Sequence, residues 1–236
     1  MLIPCYDHAA KLGNVLERLA PLGLSGIVVD DGSCESDRRL IASLVAERPW
    51  LTLVRHPSNR GRGAALRTGY ALAHEHGFTH VLQIDADGQH EEADVPALLA
   101  EATRDPKALI LGEPRFDASA PASRRYGRWI SRVWVWIETL SFAVSDPLCG
   151  LRCLPLEPML ALFARRSCGD GMEFDTELVV RLVWAGSRVK NVPVRVRYFE
   201  GGLSHFHLLR DNLRISWLHA RLVFALLARA LGRTEV

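Results

Sequence analysis

Two carboxylates two positions apart close a short apolar run in Ile84-Asp85-Ala86-Asp87-Gly88-Gln89-His90. The pattern predicts a strand over His80–Ile84 that delivers Asp85 and Asp87 to its carboxyl end, the edge at which open α/β sheets bind ligands. That spacing lets both carboxylates turn toward one ion. Hard oxygen donors suit Mg²⁺ or Mn²⁺, ions that also bind diphosphates. An Asp-x-Asp alone is weak evidence, because a solvated turn capping the next helix uses the same residues. Two companions strengthen it. Val28-Val29-Asp30-Asp31-Gly32-Ser33 ends a second strand on an acidic pair, where a carboxylate accepts hydrogen bonds from a nucleobase edge or ribose hydroxyls. Asn59-Arg60-Gly61-Arg62-Gly63-Ala64-Ala65 opens a helix, where Gly61 and Gly63 permit close backbone approach and the helix N-terminus favours anions. This Gly-x-Gly follows a loop rather than a strand, which counts against a dinucleotide-dependent oxidoreductase.

The elements that position these residues alternate strand and helix through the first half, which signals a mostly parallel α/β sheet. Strands are predicted at Met1–Pro4, Gly26–Val29, Leu51–Arg55, His80–Ile84 and Ala108–Gly112, with helices at Ala9–Leu22, Ser36–Glu47, Arg62–His76 and Glu92–Ala102. The second half is less regular. Tyr126–Phe142 reads as a long amphipathic segment, Asp146–Cys153 as a turn into a strand and Asp175–Trp184 as a helix stopped by Gly186. Arg188–Tyr198 alternates as a strand that Pro193 marks as an edge or bulge, and Leu208–Leu231 as a terminal helix.

A chain of 236 residues, 48% hydrophobic, supports one large domain. A formal charge of +2 gives no support to a nucleic-acid partner. Arginines nevertheless crowd residues 124–132 and 210–233, which points to a phosphate or an anionic surface. Five cysteines without a dense framework favour free thiols and a reducing, cytoplasmic setting; Cys149 and Cys153 lack the second pair that a zinc site needs. The N-terminus shows no signal-peptide pattern, and no run is long and apolar enough for a transmembrane helix.

Taken in order, these pieces resemble glycosyltransferase family 2, in its dolichyl-phosphate mannose synthase-like branch. Ile3-Pro4-Cys5-Tyr6-Asp7 resembles the family's opening strand and loop, and Val29–Ser33 its nucleotide-binding turn. Asn59–Ala65 resembles its glycine-containing helix start, and Asp85–His90 the metal and diphosphate motif of that branch. Asp146-Pro-Leu-Cys149-Gly150-Leu-Arg152 resembles the branch's Asp-Pro-x-Ser-Gly-Phe-Arg stretch with Cys149 in place of Ser, and Phe174-Asp175-Thr-Glu177-Leu its acceptor-side helix. The resemblance covers roughly residues 1–200 as a domain, with 201–236 as a helical appendage. It implies a GT-A, Rossmann-like fold and inverting transfer from a nucleotide sugar. It further implies that Asp7, Asp31 and Asp30 hold the nucleoside, with Gly61 and Gly63 beside the donor. Asp85 and Asp87 would hold Mg²⁺ or Mn²⁺ and the diphosphate with help from Gln89. Asp175 matches one member of the family's acidic pair that supplies a base, whereas Phe174 replaces the other.

The acceptor decides whether a base is needed, since a lipid phosphate is already anionic near neutral pH and a hydroxyl is not. For a phosphate, Arg115, which resembles a phosphate-contacting arginine after the fifth strand, would matter together with Arg128 and Arg132. Leu208–Leu231 combines Trp217, Phe224 and leucines with Arg210, Arg214, Arg221 and Arg229. Such a helix fits a membrane interface, and it equally fits packing on the domain or on a second copy in a homo-oligomer. His205 or His207 is a further candidate for the metal shell. The favoured expectation is a lipid-linked or membrane-associated acceptor, with peripheral attachment at the cytoplasmic face. A soluble acceptor and a catalytically silent nucleotide-binding scaffold are the alternatives.

Overall fold

The computed structural model describes residues 1–116, 120–166, 168–198 and 208–231. His205 and His207 lie outside the described residues.

Seven strands, β1 (Leu2–Cys5), β2 (Gly26–Asp30), β3 (Leu51–Arg55), β4 (His80–Gln83), β5 (Leu109–Phe116), β6 (Arg152–Pro155) and β7 (Val189–Val196), form one sheet in the order β3-β2-β1-β4-β6-β5-β7. Only β6 runs against its neighbours, pairing antiparallel with both β4 and β5; the remaining pairs are parallel. The strands are short and apolar because both faces are covered, as a parallel sheet requires. Alternation sends Leu2, Ile27, Val29, Leu109 and Leu111 to one face and Ile3, Val28 and Ile110 to the other. The second face is covered by α1 (Ala9–Leu19), α2 (Glu35–Ala46) and α4 (Val95–Arg104). The first is covered by α3 (Arg62–Glu75), α5 (Ala122–Thr139), α6 (Leu156–Arg165), α7 (Phe174–Trp184) and α8 (Leu208–Ala230).

The helices and strands expected in the first half are present, with shifted ends. The helix expected at Ala9–Leu22 closes in a 3₁₀ turn at Ala20–Leu22, and that expected at Glu92–Ala102 opens with one at Glu92–Asp94. β5 continues four residues past the expected Gly112, and α5 begins at Ala122 rather than Tyr126. The α6 helix had no counterpart among the elements expected from the sequence. Pro155 is the residue before the helix, and Pro158 lies in the first turn, where no backbone donor is needed. Pro193 sits in β7, an edge strand, as its sequence suggested.

The α8 helix is bound into the fold on one side. Leu218 and Leu222 are fully buried in the core cluster that also holds Val135 of α5 and the apolar residues of α7. Arg221 reaches the buried Glu177 of α7 at 3.5 Å. Between α5 and α8, His219 Nδ1 lies 2.6 Å from Glu138, and Trp134 stacks on the imidazole. Burial pushes the Glu138 carboxyl up, and His219 draws it back down. All five cysteines are unpaired, and burial pushes the Cys5, Cys149 and Cys168 thiols up to about 12, so these are inert packing groups.

Candidate active site

A cleft of about 1860 Å³ runs along the carboxyl ends of β1, β2 and β4 and continues between α5 and α8. It is larger than the usual 300–1,000 Å³ of a single-ligand pocket. Its floor carries Asp85 and Asp87, just past the end of β4. The loop that bears them is fixed from two sides. Arg18 of α1 donates to the Gly88 carbonyl at 3.3 Å, and the backbone N–H of Arg197 donates to the Gln89 carbonyl at 3.0 Å. Asp87 accepts the backbone N–H of Gln89 at 3.0 Å, which bends the loop back on itself. Burial, and next the charge of Asp85, raise the Asp87 carboxyl above its ordinary range. The pair therefore presents crowded negative charge, which a cation relieves.

Asp85 faces Gly150 on one side and Arg62 on the other. A Cβ at Gly150 would overlap the Asp85 carboxylate, so only glycine fits that position without displacing it. Arg62 Nη1 lies 2.7 Å from Asp85, while its Nε donates to Asp175 at 2.7 Å. Arg152, 1% exposed, places a second guanidinium 3.2 Å from the other Asp175 oxygen. The antiparallel sense of β6 brings Arg152 here, because its first residue pairs with Gln83 at the last position of β4. Burial alone would raise Asp175, but Arg152 and Arg62 outweigh it and hold the carboxyl below its ordinary range. Both Asp175 oxygens are thus committed to guanidinium groups. The side chain lines the cleft as an ionised anchor and has little capacity to accept a proton from substrate.

At the other end of the cleft, Asp31 accepts from the backbone N–H groups of Arg60 and Gly61 at 3.0 and 2.8 Å and contacts His56 Nδ1 at 2.6 Å. It shapes the 59–61 turn and still lines the cleft. Asp30 is fully buried; its oxygens take the Ser33 N–H and Arg55, so it braces the turn from behind. Asp7, at φ 49°, accepts the Cys34 N–H at 2.8 Å and ties the β1 loop to the same turn, beside the cleft-lining Tyr6 and His8. Gly61 and Gly63 have a different reason from the expected approach to a ligand. A Cβ at either would strike the carbonyls of Asp170 or Gly169, and the N–H groups of Gly63 and Ala64 donate to the Asp170 carbonyl. The first donors of α3 are consumed internally, which weakens the anion-binding expectation for that helix end.

Among the cationic candidates, Arg115 lies outside the cleft. It is on the extended part of β5, its side chain is 63% exposed, and its ion partner is Glu113 at 3.6 Å. Arg132 also lies off the cleft, 6.0 Å from the centre of the Trp136 ring. Arg128 does line it, with one nitrogen 2.9 Å from both oxygens of the buried Asp146. Arg124, Arg210 and Arg214 line the same stretch. Arg62 and Arg152, which organise the floor, carried no role in the sequence reading. Their signal was an arginine between two glycines at a helix start and an arginine closing the Asp146–Arg152 motif.

Among the described residues, no three His, Cys, Asp or Glu side chains converge as a metal cage. The donor set nonetheless fits Mg²⁺ or Mn²⁺, ions that proteins hold by one or two carboxylates together with substrate phosphates and water. Asp85 and Asp87 supply hard oxygens, and both line the cleft from one loop.

The wall beyond the floor is mixed, with Ile130, Trp134, Val223 and Phe224 set among the arginines, and a separate apolar surface lies outside the cleft. Of the fifteen exposed large hydrophobic side chains among the described residues, thirteen lie in 126–142 and 209–231, so the exposed apolar surface is concentrated on α5 and α8. On α8, Leu209, Leu213, Trp217, Phe224 and Leu227 recur at spacings that keep them on one side of the helix, opposite Leu218 and Leu222. No helix among the described residues is long and apolar enough to cross a membrane.

Known proteins resemble this chain in sequence and in fold. An undecaprenyl-phosphate mannosyltransferase of Micrococcus luteus is 27% identical over 199 residues, covering 82% of this chain and 81% of the relative. A UDP-N-acetylglucosamine–dolichyl-phosphate N-acetylglucosaminyltransferase of Methanococcus voltae is 23% identical, covering 85% and 86%. Glucosyl-3-phosphoglycerate synthase from Mycobacterium tuberculosis, solved with Mn²⁺ and UDP-glucose, superposes with a TM-score of 0.65 at 19% identity over 99% of this chain and 79% of that one. That likeness establishes the GT-A fold. The family model described as glycosyl transferase family 2 matches residues 1–162, well over half of the sequence. With two carboxylates at a strand end on the floor of a GT-A cleft, this chain is a glycosyltransferase and belongs to glycosyl transferase family 2.

Proposed function

We propose that the protein transfers a sugar, with inversion, from a nucleotide-sugar donor to a lipid-phosphate acceptor, working peripherally at a membrane. The observation that carries this reading is a single cleft running from Asp85 and Asp87 to walls of α5 and α8 that set Ile130, Trp134, Val223 and Phe224 beside four arginines. The nucleoside would lie against Tyr6, Asp31 and Asn59, and the diphosphate would reach Asp85, Asp87 and Gln89. A bound Mg²⁺ or Mn²⁺ supplies charge neutralisation for the departing nucleoside diphosphate. An acceptor phosphate oxygen attacks the anomeric carbon from the opposite side; that C–O bond forms as the bond to the nucleoside diphosphate breaks, and the electron pair leaves on the diphosphate. Such a nucleophile is already anionic and needs no base, which agrees with an Asp175 held by Arg62 and Arg152. Asp175 is then a positioning residue. Arg128, Arg124, Arg210 and Arg214 are the cleft-lining cations assigned to the acceptor phosphate, in place of Arg115. The names of the undecaprenyl- and dolichyl-phosphate relatives support the same acceptor class.

The test is radiolabelled transfer with UDP- and GDP-sugars and Mn²⁺, offering polyprenyl phosphate in vesicles or 3-phosphoglycerate in solution. Label in the lipid phase is the expected result. Label only on phosphoglycerate would replace the lipid acceptor by a soluble one.

The crowding at Gly150 gives a second expected result. Gly150→Ala forces the Asp85 carboxylate aside, and a displacement of about 1 Å at a reacting centre costs about 10²-fold in rate. Transfer assays paired with thermal melts check this; a fully active, normally folded variant would dissociate Asp85 from the chemistry.

A further inference from the structure

Arg62 occupies an unusual position for a cation. Its guanidinium spans the cleft floor, with Nη1 on Asp85 and Nε on Asp175. The two carboxylates are not equally dependent on it. Asp175 also has Arg152 at 3.2 Å and the Gln83 amide at 3.4 Å. Asp85, by contrast, has no other ion-pair partner among the described residues. The backbone under Arg62 is fixed, because Gly63 is clamped to the 169–170 turn. Any exchange at Asp85 is therefore made by the side chain alone, swinging Nη1 while Nε stays on Asp175. Arg62 and Asp85 both face the cleft, with side chains 18% and 23% exposed, so an incoming ligand reaches the pair directly.

We propose that Arg62 is the resting counter-ion of Asp85, and that a divalent cation gains this carboxylate only by displacing it. This rests on the donor-and-metal reading given above and deepens it. The guanidinium already neutralises this carboxylate, and a divalent ion placed on it at the same time meets repulsion from the neighbouring cation. An anionic diphosphate entering the cleft offers the guanidinium a substitute partner of matching geometry. Donor and metal then bind as a coupled pair: the diphosphate draws Arg62 off Asp85, and the cation takes the carboxylate that is released. The coupling is reciprocal, since whatever factor the nucleotide adds to metal affinity the metal must add to nucleotide affinity. Without nucleotide the pair stays closed, which keeps free cation from occupying the floor unproductively.

The experiment measures Mn²⁺ binding by the loss of the free-ion EPR signal, without and with UDP or GDP, in the full chain and three variants. Arg62→Gln removes the counter-ion. It is expected to tighten Mn²⁺ binding in the absence of nucleotide at least fivefold and to reduce the enhancement given by nucleotide at least fivefold. Arg62→Lys keeps a charge but loses the two-armed bridge and is expected to fall between; it preserves the test if the glutamine variant folds poorly. Arg67→Gln removes an equal charge from the same helix, at a residue that pairs with Asp170 and the 168–169 carbonyls, and is expected to change Mn²⁺ affinity less than twofold. Unchanged Mn²⁺ affinity in both Arg62 variants, or equal tightening in the Arg67 variant, overturns the proposal and leaves the donor-and-metal reading standing. No Mn²⁺ binding to the unaltered protein even with nucleotide overturns both.

Discussion

Asp87→Asn is expected to lower sugar transfer by about two to three orders of magnitude while leaving the fold at least as stable as before. The two effects have opposite signs, and both follow from the environment of this carboxylate. Burial and the neighbouring Asp85 already oppose its ionised form, so a neutral amide of the same shape relieves repulsion. One acceptor oxygen remains for the Gln89 N–H. A gain of about 1 kcal/mol would raise the melting temperature by about 2–4 °C in a chain of this size. The catalytic loss arises because the same carboxylate is assigned to the ion that steadies the leaving diphosphate. Such an ion is worth several kcal/mol, or about two to three orders of magnitude in rate. Differential scanning fluorimetry and a Mn²⁺-dependent transfer assay measure the two together. A variant that is destabilised and inactive would point to a structural role, and one that is active would remove Asp87 from the chemistry.

Placing acid on the exposed α8 stripe should separate lipid chemistry from donor binding. Trp217 and Phe224 are 66% and 71% exposed, and neither belongs to the core cluster that holds Leu218 and Leu222. Replacing both with Glu therefore spares the fold, which deletion of the whole helix would not. Each side chain contributes about 1.5–3 kcal/mol when buried in an apolar phase. Losing two, and adding charge, should lower vesicle binding by at least about 10²-fold. Transfer to vesicle-borne polyprenyl phosphate should fall by more than tenfold, with UDP or GDP affinity changed less than twofold. Arginines 210, 214 and 221 share this helix, so binding of the unaltered protein should strengthen with anionic lipid and weaken with salt. Co-sedimentation at two ionic strengths reads all of this. A protein that never sediments with vesicles but changes from dimer to monomer on substitution would make the stripe a contact between copies.

Much of the site was legible because it lies where short apolar strands end. The runs 80–84 and 26–29 are bounded by acidic residues and glycine, and such punctuation survives any uncertainty about packing. What could not be read was set by tertiary partners. Arg115 seemed to follow a strand ending at Gly112, but β7 pairs alongside as far as Phe116, so the strand continues and carries Arg115 to the outside. The glycines at 61 and 63 pointed to a ligand, whereas the group they admit is the backbone at 169–170, more than a hundred residues away. Asp30 and Asp31 are adjacent in sequence and indistinguishable by type; the strand's alternation buries the first against Arg55 and turns the second to the cleft. The four-residue β6 carries no signal of its direction, and its direction decides that Arg152 reaches Asp175.

That reversed strand also imposes an order of assembly on the ribosome. β6 is wedged between β4 and β5, yet β5 is synthesised before it. The β4–β6–β5 order cannot form until residues 152–155 emerge, and until then the edges that β6 will pair are open, of the kind that invites association with other chains. Arg62 waits longer still, since Asp175 follows it by 113 residues. At about 5–20 residues per second, that delay is roughly 6–23 seconds. The acidic loop at 85–87 is thus made well before the cleft that surrounds it can close, and the interval is a window in which a chaperone has an exposed strand to hold.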